Sequence, residues 1–374
     1  MKNLLIITQK VDENDDLLGF FVGWIREFAE HFNRVDVITL AKGQYSLPEN
    51  AHIHSLGKES GKSKISRFFT FYFLLFNYLP GSSFIFAHMS PIFAIASWPA
   101  AFLFRKKIVL WYLHRSVTLR LKLAEKMCYK IATSTKESLN IKSKKIVEVG
   151  HGIDTEKFRS IGPISPISPT PNKLLRNLTG QVGSIRILSV GRISEIKDYE
   201  TLIRAAAILK EKSSEFSASG GPAVGWKVKI VGRPVMPPDF GYFENLKKLV
   251  RELKLENEVE FAGFVPYSRI TDYDKESDIF INLAPKGGIA KAVLEAMVAG
   301  SLVLVSNQVF KKYFGEYDLF FKQGGANDLA KKVEGLLKLS VEEAEEIKSF
   351  LKESVLANHN LSDTITRISS FFNP

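Results

Sequence analysis

The strongest constraint on this chain is an alternation that is almost never interrupted: a short apolar run, a longer amphipathic stretch, then another apolar run. The runs LLIIT (4–8), VDVITL (35–40), HIHSL (52–56), SFIFA (83–87), KIVLW (107–111) and KIVEV (145–149) read as strands. The stretches near 17–32, 65–78, 92–104 and 117–130 read as helices between them. Such alternation predicts a parallel sheet covered on both faces. The one clear break is IGPISPISPTPNKLLRNLTGQVG (161–183), whose four prolines continue neither element type and mark a linker. The pattern then restarts at 185–190, with further strands near 228–231, 259–262, 278–282, 302–305 and 319–321 and a helical tail from about Ser340. A Gly/Ser-rich patch at 212–225 reads as a surface loop insertion in this half. The expected fold class is therefore α/β, with two Rossmann-like doubly wound domains facing a cleft. The first spans 1–160 and the second 184–354, and the last helix, 355–374, is placed to pack back on the first.

At 374 residues the chain exceeds one comfortable core, which agrees with two domains. The net charge of +11 favours acidic partners such as a nucleotide, a phosphorylated substrate or an anionic membrane surface. Nucleic acid is excluded, because the sequence has neither a basic stripe interleaved with aromatics nor a known binding module. Cys128 is the only cysteine, so an intrachain disulfide and a cysteine-based zinc site are both ruled out. That fits a reducing, cytoplasmic setting. The run from Phe84 to Phe104 is long enough to span a bilayer, but His88, Pro91, Pro99 and the MSP break divide it into a strand and a helix.

Two loops carry chemistry. In RILSVGRISEIKDYETLIRAA the strand ends at Gly191, and Arg192 and Lys197 follow in the loop before a helix beginning near Asp198. An arginine fork and a lysine point charge on one strand-to-helix loop suit a diphosphate, although basic loops are also common solvated features. In APKGGIAKAVLEAMVAG, Gly287 and Gly288 open a helix whose free N–H groups favour an anion. Glu295 sits a turn inside, four residues after Lys291. Either it holds a ribose diol, or it makes an ordinary i,i+4 pair on a solvated face. The apolar neighbours from Ala290 to Val298 favour a buried carboxylate.

These stretches, together with VGHGIDTEKF (149–158), VKIVGRP, VEFAGFVPYSRITDYDKESDIFINLAP and AVLEAMVAGSLVLVSN, resemble glycosyltransferase family 4, of the GT-B architecture. The likeness is good over roughly 140–340 and loose before that. It implies a retaining, metal-independent transfer of a sugar from a nucleotide-diphosphate sugar to a glycan or lipid-linked acceptor, with no cofactor beyond that donor. It also implies roles: Arg192 and Lys197 on the diphosphate, Glu295 on the ribose, and Phe264 and Val265 beside the base. Gly191, Gly287, Gly288, Ile289, Ala290 and Lys291 then line the donor. The family's usual pattern is Glu, seven residues, Glu; here the first falls at Gly287, which has no carboxylate. The alternative is therefore a nucleotide-sugar-binding protein of the same fold that performs little or no transfer. The Asp272-Tyr273-Asp274 triplet mimics a metal motif, but it falls where the family has an ordinary surface helix.

In the first half, the resemblance places His114 at the end of a strand, facing the donor sugar, as a proton mover or hydroxyl donor. Arg115, His88 and His151 are weaker candidates. Asp12, Glu13, Asp15 and Asp16 stand where the family has a glycine-rich loop, either to bind acceptor hydroxyls or to cap the next helix. The segment SKISRFFTFYFLLFNYL (63–79) reads first as a core helix under the sheet. Its aromatic load and flanking Lys58, Lys62, Lys64 and Arg67 also suit an interfacial helix, which would hold the protein peripherally on the inner face of a membrane.

Overall fold

The computed structural model describes residues 2–159, 184–218 and 225–372. The expected linker and part of the Gly/Ser-rich patch lie outside them. The chain divides into two compact units, one made of Met1–Asp154, Pro266–Ser268 and Asn358–Pro374, the other of Thr155–Val265 and Arg269–Ala357.

The first unit is built on seven strands: β1 (Asn3–Val11), β2 (Arg34–Lys42), β3 (Ala51–Ser55), β4 (Phe84–His88), β5 (Lys107–Trp111), β6 (Lys130–Thr133) and β7 (Ile146–Glu148). They pair in parallel in the order β3-β2-β1-β4-β5-β6-β7. Side chains alternate between two cores, as the two-residue period of a strand requires. Leu4, Ile6, Phe84, Phe86, Val109 and Trp111 enter one core with α1 (Phe21–His31). Leu5, Ile7, Ile85, Ala87, Ile108 and Leu110 enter the other, under α2 (Lys64–Tyr78), α3 (Pro91–Leu103) and α4 (Leu119–Met127). Both faces are covered, which is why these strands read as unbroken apolar runs.

The second unit opens with the short α5 (Glu156–Arg159) and carries five parallel strands in the order β10-β9-β8-β11-β12. They are β8 (Ile185–Val190), β9 (Trp226–Val231), β10 (Val259–Gly263), β11 (Ile279–Asn282) and β12 (Leu302–Val305). The helices are α6 (Tyr199–Ala218), α7 (Pro237–Glu252), α8 (Tyr267–Glu276), α9 (Lys291–Ala299), α10 (Ala326–Leu337) and α11 (Val341–His359). The chain then returns to the first unit. Ile153 and Leu361 exchange backbone hydrogen bonds with the His359–Leu361 segment and Ile153 respectively, and α12 (Leu361–Ser370) buries Leu361, Ile365 and Ile368 in the core beside α1.

Several expectations need correction. Strand β6 lies where the helix was expected to run on to Lys130: α4 stops at Met127, and KIAT is too short to show a period. Segment 319–321 makes only a single bridge, Phe320 to Val305, at the sheet edge. The patch from residue 212 is helical as far as Ala218, because its serines tolerate a helix. The helix expected from Leu17 starts at Phe21, and its N-cap, Phe20, makes no side-chain cap. Asp15 instead caps the turn before it, accepting bonds from the N–H groups of Leu17 and Leu18 at 3.0 and 2.8 Å. Asp12 and Asp15 both pair with Lys10, and Glu13 pairs with Arg26. Asp12, Glu13 and Asp15 are thus engaged in holding their own loop. Segment 84–104 is a strand followed by a helix, and among the described residues no helix is long and apolar enough to cross a membrane.

Candidate active site

Each sheet reverses its strand order once, and such a switch point opens a crevice at the carboxyl ends of its strands. In the second sheet the reversal lies between β8 and β11. The loop after β8 holds Arg192 and Lys197, and the loop after β11 leads through Gly287 and Gly288 into α9. The two loops singled out by sequence therefore leave neighbouring strands at the same end of the sheet.

Glycines make the first loop possible. Gly191, Gly232 and Gly263 follow one another across the carboxyl ends of β8, β9 and β10: the Gly191 N–H donates to Val231, and the Gly232 N–H to Gly263. A Cβ on Gly232 would sit 2.0 Å from the carbonyl oxygen of Gly191. A Cβ on Gly191 would press on the tip of Lys197 at 3.1 Å. The Tyr199 hydroxyl donates to the Gly191 carbonyl at 3.0 Å and fixes the loop from behind. Lys197 ends a 3₁₀ turn (Glu195–Lys197), and the next residue, Asp198, takes a left-handed conformation before α6.

The two cations differ in their surroundings. Arg192 lies 3.6 Å from Asp239, at the amino end of α7. Lys197 is half-buried and makes no ion pair among the described residues. Burial first, and the Arg192 guanidinium second, hold its ammonium below the ordinary lysine value. A half-buried cation repelled by a neighbouring one is electrostatically incomplete, and an anion would relieve it. Ser194, between them, has a buried hydroxyl without a hydrogen-bond partner among the described residues.

The second loop presents a bare helix terminus. Ala290 is the N-cap of α9 and makes no side-chain cap; the Val293 N–H donates to the Ala290 carbonyl at 3.1 Å, and a helix terminus of this kind favours an anion. Ile289 is buried, while Gly288, Ala290 and Lys291 are half-buried. Gly287 has φ +132, and a Cβ there would meet open space. A glutamate would have room, but this backbone conformation strains any L side chain. Glu295 is buried, at 4% exposure, and forms an ion pair with Lys291, itself largely buried. The i,i+4 pair with Lys291 therefore forms, but buried and not on a solvated face.

Asp274, on α8, corrects the reading of Asp272-Tyr273-Asp274 as surface. Asp272 is exposed, but Asp274 is buried and neither carboxyl oxygen has a hydrogen-bond partner among the described residues. Burial first, then the charge of Glu295, push its carboxyl well above the usual range; Lys291 and Lys157 act the other way. The helical period conceals this, because one aspartate faces outward and the other, two residues on, faces the core. Asn282, which ends β11, also has a buried Oδ1 without a hydrogen-bond partner among the described residues. Among the described residues, no three His, Cys, Asp or Glu side chains are grouped to hold a metal ion.

Phe264 follows β10, and the Arg233 guanidinium lies over its ring at 4.6 Å. Val265 is half-buried beside it. Arg233 was missed by the sequence reading although it stands in the VGRP motif, two residues past the strand. In the first unit His114 is exposed on the loop after β5, with its ring 5.6 Å from that of Tyr112. Arg115 donates to Asn140. His88 is unsuited to moving protons. It is fully buried, stacked on Phe21 and bonded to Thr8, and burial pulls its pKa down to about 3. His151 has a structural position, its backbone N–H donating to His359.

Two all-parallel sheets, each reversing at its first strand and wrapped by helices, are the α/β architecture of GT-B glycosyltransferases. In agreement, the Anabaena HepE protein, crystallised with UDP, superposes over 99% of both chains with a TM-score of 0.72 at 16% identity. Residues 175–353 match the family described as glycosyl transferases group 1. The mannosylfructose-phosphate synthase of Agrobacterium fabrum is 26% identical over 196 residues, which are 52% of this chain and 40% of that protein. The alpha-monoglucosyldiacylglycerol synthase of Streptococcus pneumoniae is 29% identical over 181 residues, 45% of this chain and 36% of that one. The matched segment thus spans about two fifths of the length of these curated relatives.

Proposed function

We infer that this chain is a glycosyltransferase that moves a sugar, with retention of configuration and without a required metal, from a nucleotide-diphosphate sugar to a glycan or lipid-linked acceptor. The observation that carries this reading is Lys197, half-buried beside Arg192 at the switch point of the second sheet and without an ion pair among the described residues. As the glycosidic bond breaks, negative charge gathers on the departing diphosphate. Fixed cations aimed at it stabilise the transition state more than the ground state. In this reading Arg192 supplies a fork of donors and Lys197 a point charge. Glu295 takes the ribose diol, Phe264 and Val265 lie beside the base, and the N–H groups at the start of α9 meet the sugar side of the donor. His114 serves the transferred sugar from the first unit. A cytoplasmic protein attached peripherally to a membrane accords with a lipid-linked acceptor, and one of the relatives is named as a glycolipid synthase.

Gly287 favours a second reading, a nucleotide-sugar binder without transfer, because its φ of +132 is a conformation that an L residue such as glutamate rarely adopts. Slow hydrolysis of the donor in the absence of acceptor separates the two. Nucleotide binding itself is tested by thermal shift across uridine, guanosine and adenosine diphosphates and their sugars. A ligand at a hundredfold excess over its Kd adds about 2.7 kcal/mol of stability. We expect one nucleoside diphosphate to raise the melting midpoint of the wild type and to leave Arg192→Ala and Lys197→Ala unmoved. Equal shifts in wild type and variants would refute the assignment.

A further inference from the structure

Helix α2 has apolar residues on two sides. One side, with Phe71 and Leu75, is buried in the first unit's core. Ile65, Phe68, Phe69, Phe73 and Phe76 recur at helical spacing on another and are exposed, Phe69 by 68% and Phe73 by 65%. Tyr72 completes this stripe and donates its hydroxyl to the Ala96 carbonyl of α3. The apolar surface continues onto α3: Phe104, just past its end, meets Phe76 at 5.9 Å between ring centroids, and the neighbouring Phe102 and Leu103 are exposed. Single exposed apolar residues are ordinary, but a stripe continuing across two helices marks an interaction surface.

Charge identifies the partner. From Ser60 to Ala124 the chain contains no aspartate or glutamate. Lys62, Lys64 and Arg67 lie at the amino-terminal end of the stripe. Arg105 and Lys106 lie at the other, where Lys106 reaches the Pro80 carbonyl just beyond α2. An apolar stripe with cations at both ends and no acid matches the layering of an anionic membrane, with hydrocarbon below and phosphates at the rim. Beneath α2 an apolar groove of about 230 Å³, lined by Leu40, Leu56, Phe71 and Phe93, opens beside Lys64 and Arg67. The Arg67 Nε is buried there without a hydrogen-bond partner among the described residues.

We propose that the outer face of α2 and the carboxyl end of α3 dock on an anionic lipid bilayer, with α2 lying in the interface and the groove beneath it admitting hydrocarbon from the bilayer. This deepens the membrane attachment named above but rests on the first unit alone, so vesicle binding and nucleotide binding can fail separately. The test is flotation of the full chain at low salt with vesicles of phosphatidylcholine alone and of phosphatidylcholine mixed with phosphatidylglycerol. The wild type is expected to float only with the mixed vesicles and to be released by high salt. Phe69→Asp with Phe73→Asp, or Lys62→Glu with Lys64→Glu, should lower the floating fraction by about tenfold or more. Both pairs are exposed, and glutamates at the start of a helix favour its dipole, so circular dichroism and the nucleotide thermal shift should not change. Three results would overturn the proposal. They are no flotation of the wild type, equal flotation with neutral vesicles, and a dimer in sedimentation that Phe69→Asp with Phe73→Asp dissociates without any vesicle binding.

Discussion

Asp274 and Glu295 are two carboxyls in one buried neighbourhood, and their partners differ. Glu295 has the Lys291 ammonium, whereas Asp274 has no hydrogen-bond partner on either oxygen among the described residues. Asp274 therefore keeps its proton to higher pH in the folded protein than in the unfolded chain. A raised carboxyl pKa means that the native state binds the proton more tightly. Stability then falls as pH rises above the unfolded carboxyl value of about 3.9, until the native group has also ionised. Asp274→Asn removes this loss, so its melting midpoint should exceed the wild type's at neutral pH and fall less between acid and neutral pH. Melts over that range check it, and a lower midpoint for the variant at neutral pH would show that the carboxyl is not a burden on the fold. Glu295 and Lys291 were legible from sequence because apolar neighbours surround them. Asp274 was not, because one turn of an amphipathic helix does not show which polar residue faces inward.

Elements succeed or fail here through their ends and their unpartnered faces. The loop after β8 depends on the close approach of Gly232 to the Gly191 carbonyl, which only a missing Cβ allows. Gly232 also has φ +146, outside the range of most L residues. Gly232→Ala should cost about 1–3 kcal/mol and displace the Arg192 loop. The expected readout is a nucleotide thermal shift lost by more than the drop in stability explains; retention of the full shift would show the loop to be insensitive to this contact. The apolar runs 107–111, 185–190 and 302–305 were read with the bounds they have, because strands buried on both faces declare themselves. The four-residue β6 did not, and α2 was read first as a core helix although most of its aromatic residues are exposed. An apolar helix looks the same in sequence whether a sheet or a membrane covers it.

For the whole molecule, the return of the carboxyl-terminal helix to the first unit joins the ends of the chain into one core. Leu361, Ile365, Ile368 and Phe372 pack with strand and α1 residues, and the ring of Phe372 stacks on Phe84. Ile365→Ala should destabilise the first unit by about 2–5 kcal/mol. The nucleotide-dependent shift of the second unit should survive, and scanning calorimetry with and without nucleoside diphosphate checks both. Loss of nucleotide binding in this variant would contradict a donor site built within the second unit. The sequence alone determined the α/β class, the repeated strand-and-helix pattern and the two loops that carry Arg192, Lys197 and Glu295. These follow from period, punctuation and residue chemistry, all of which are local. Only the tertiary structure decided that Lys197 makes no ion pair among the described residues, that Asp274 is buried beside Glu295, and that the aromatic stripe of α2 faces outward. Each of those depends on what distant segments bring alongside, and no local pattern encodes that.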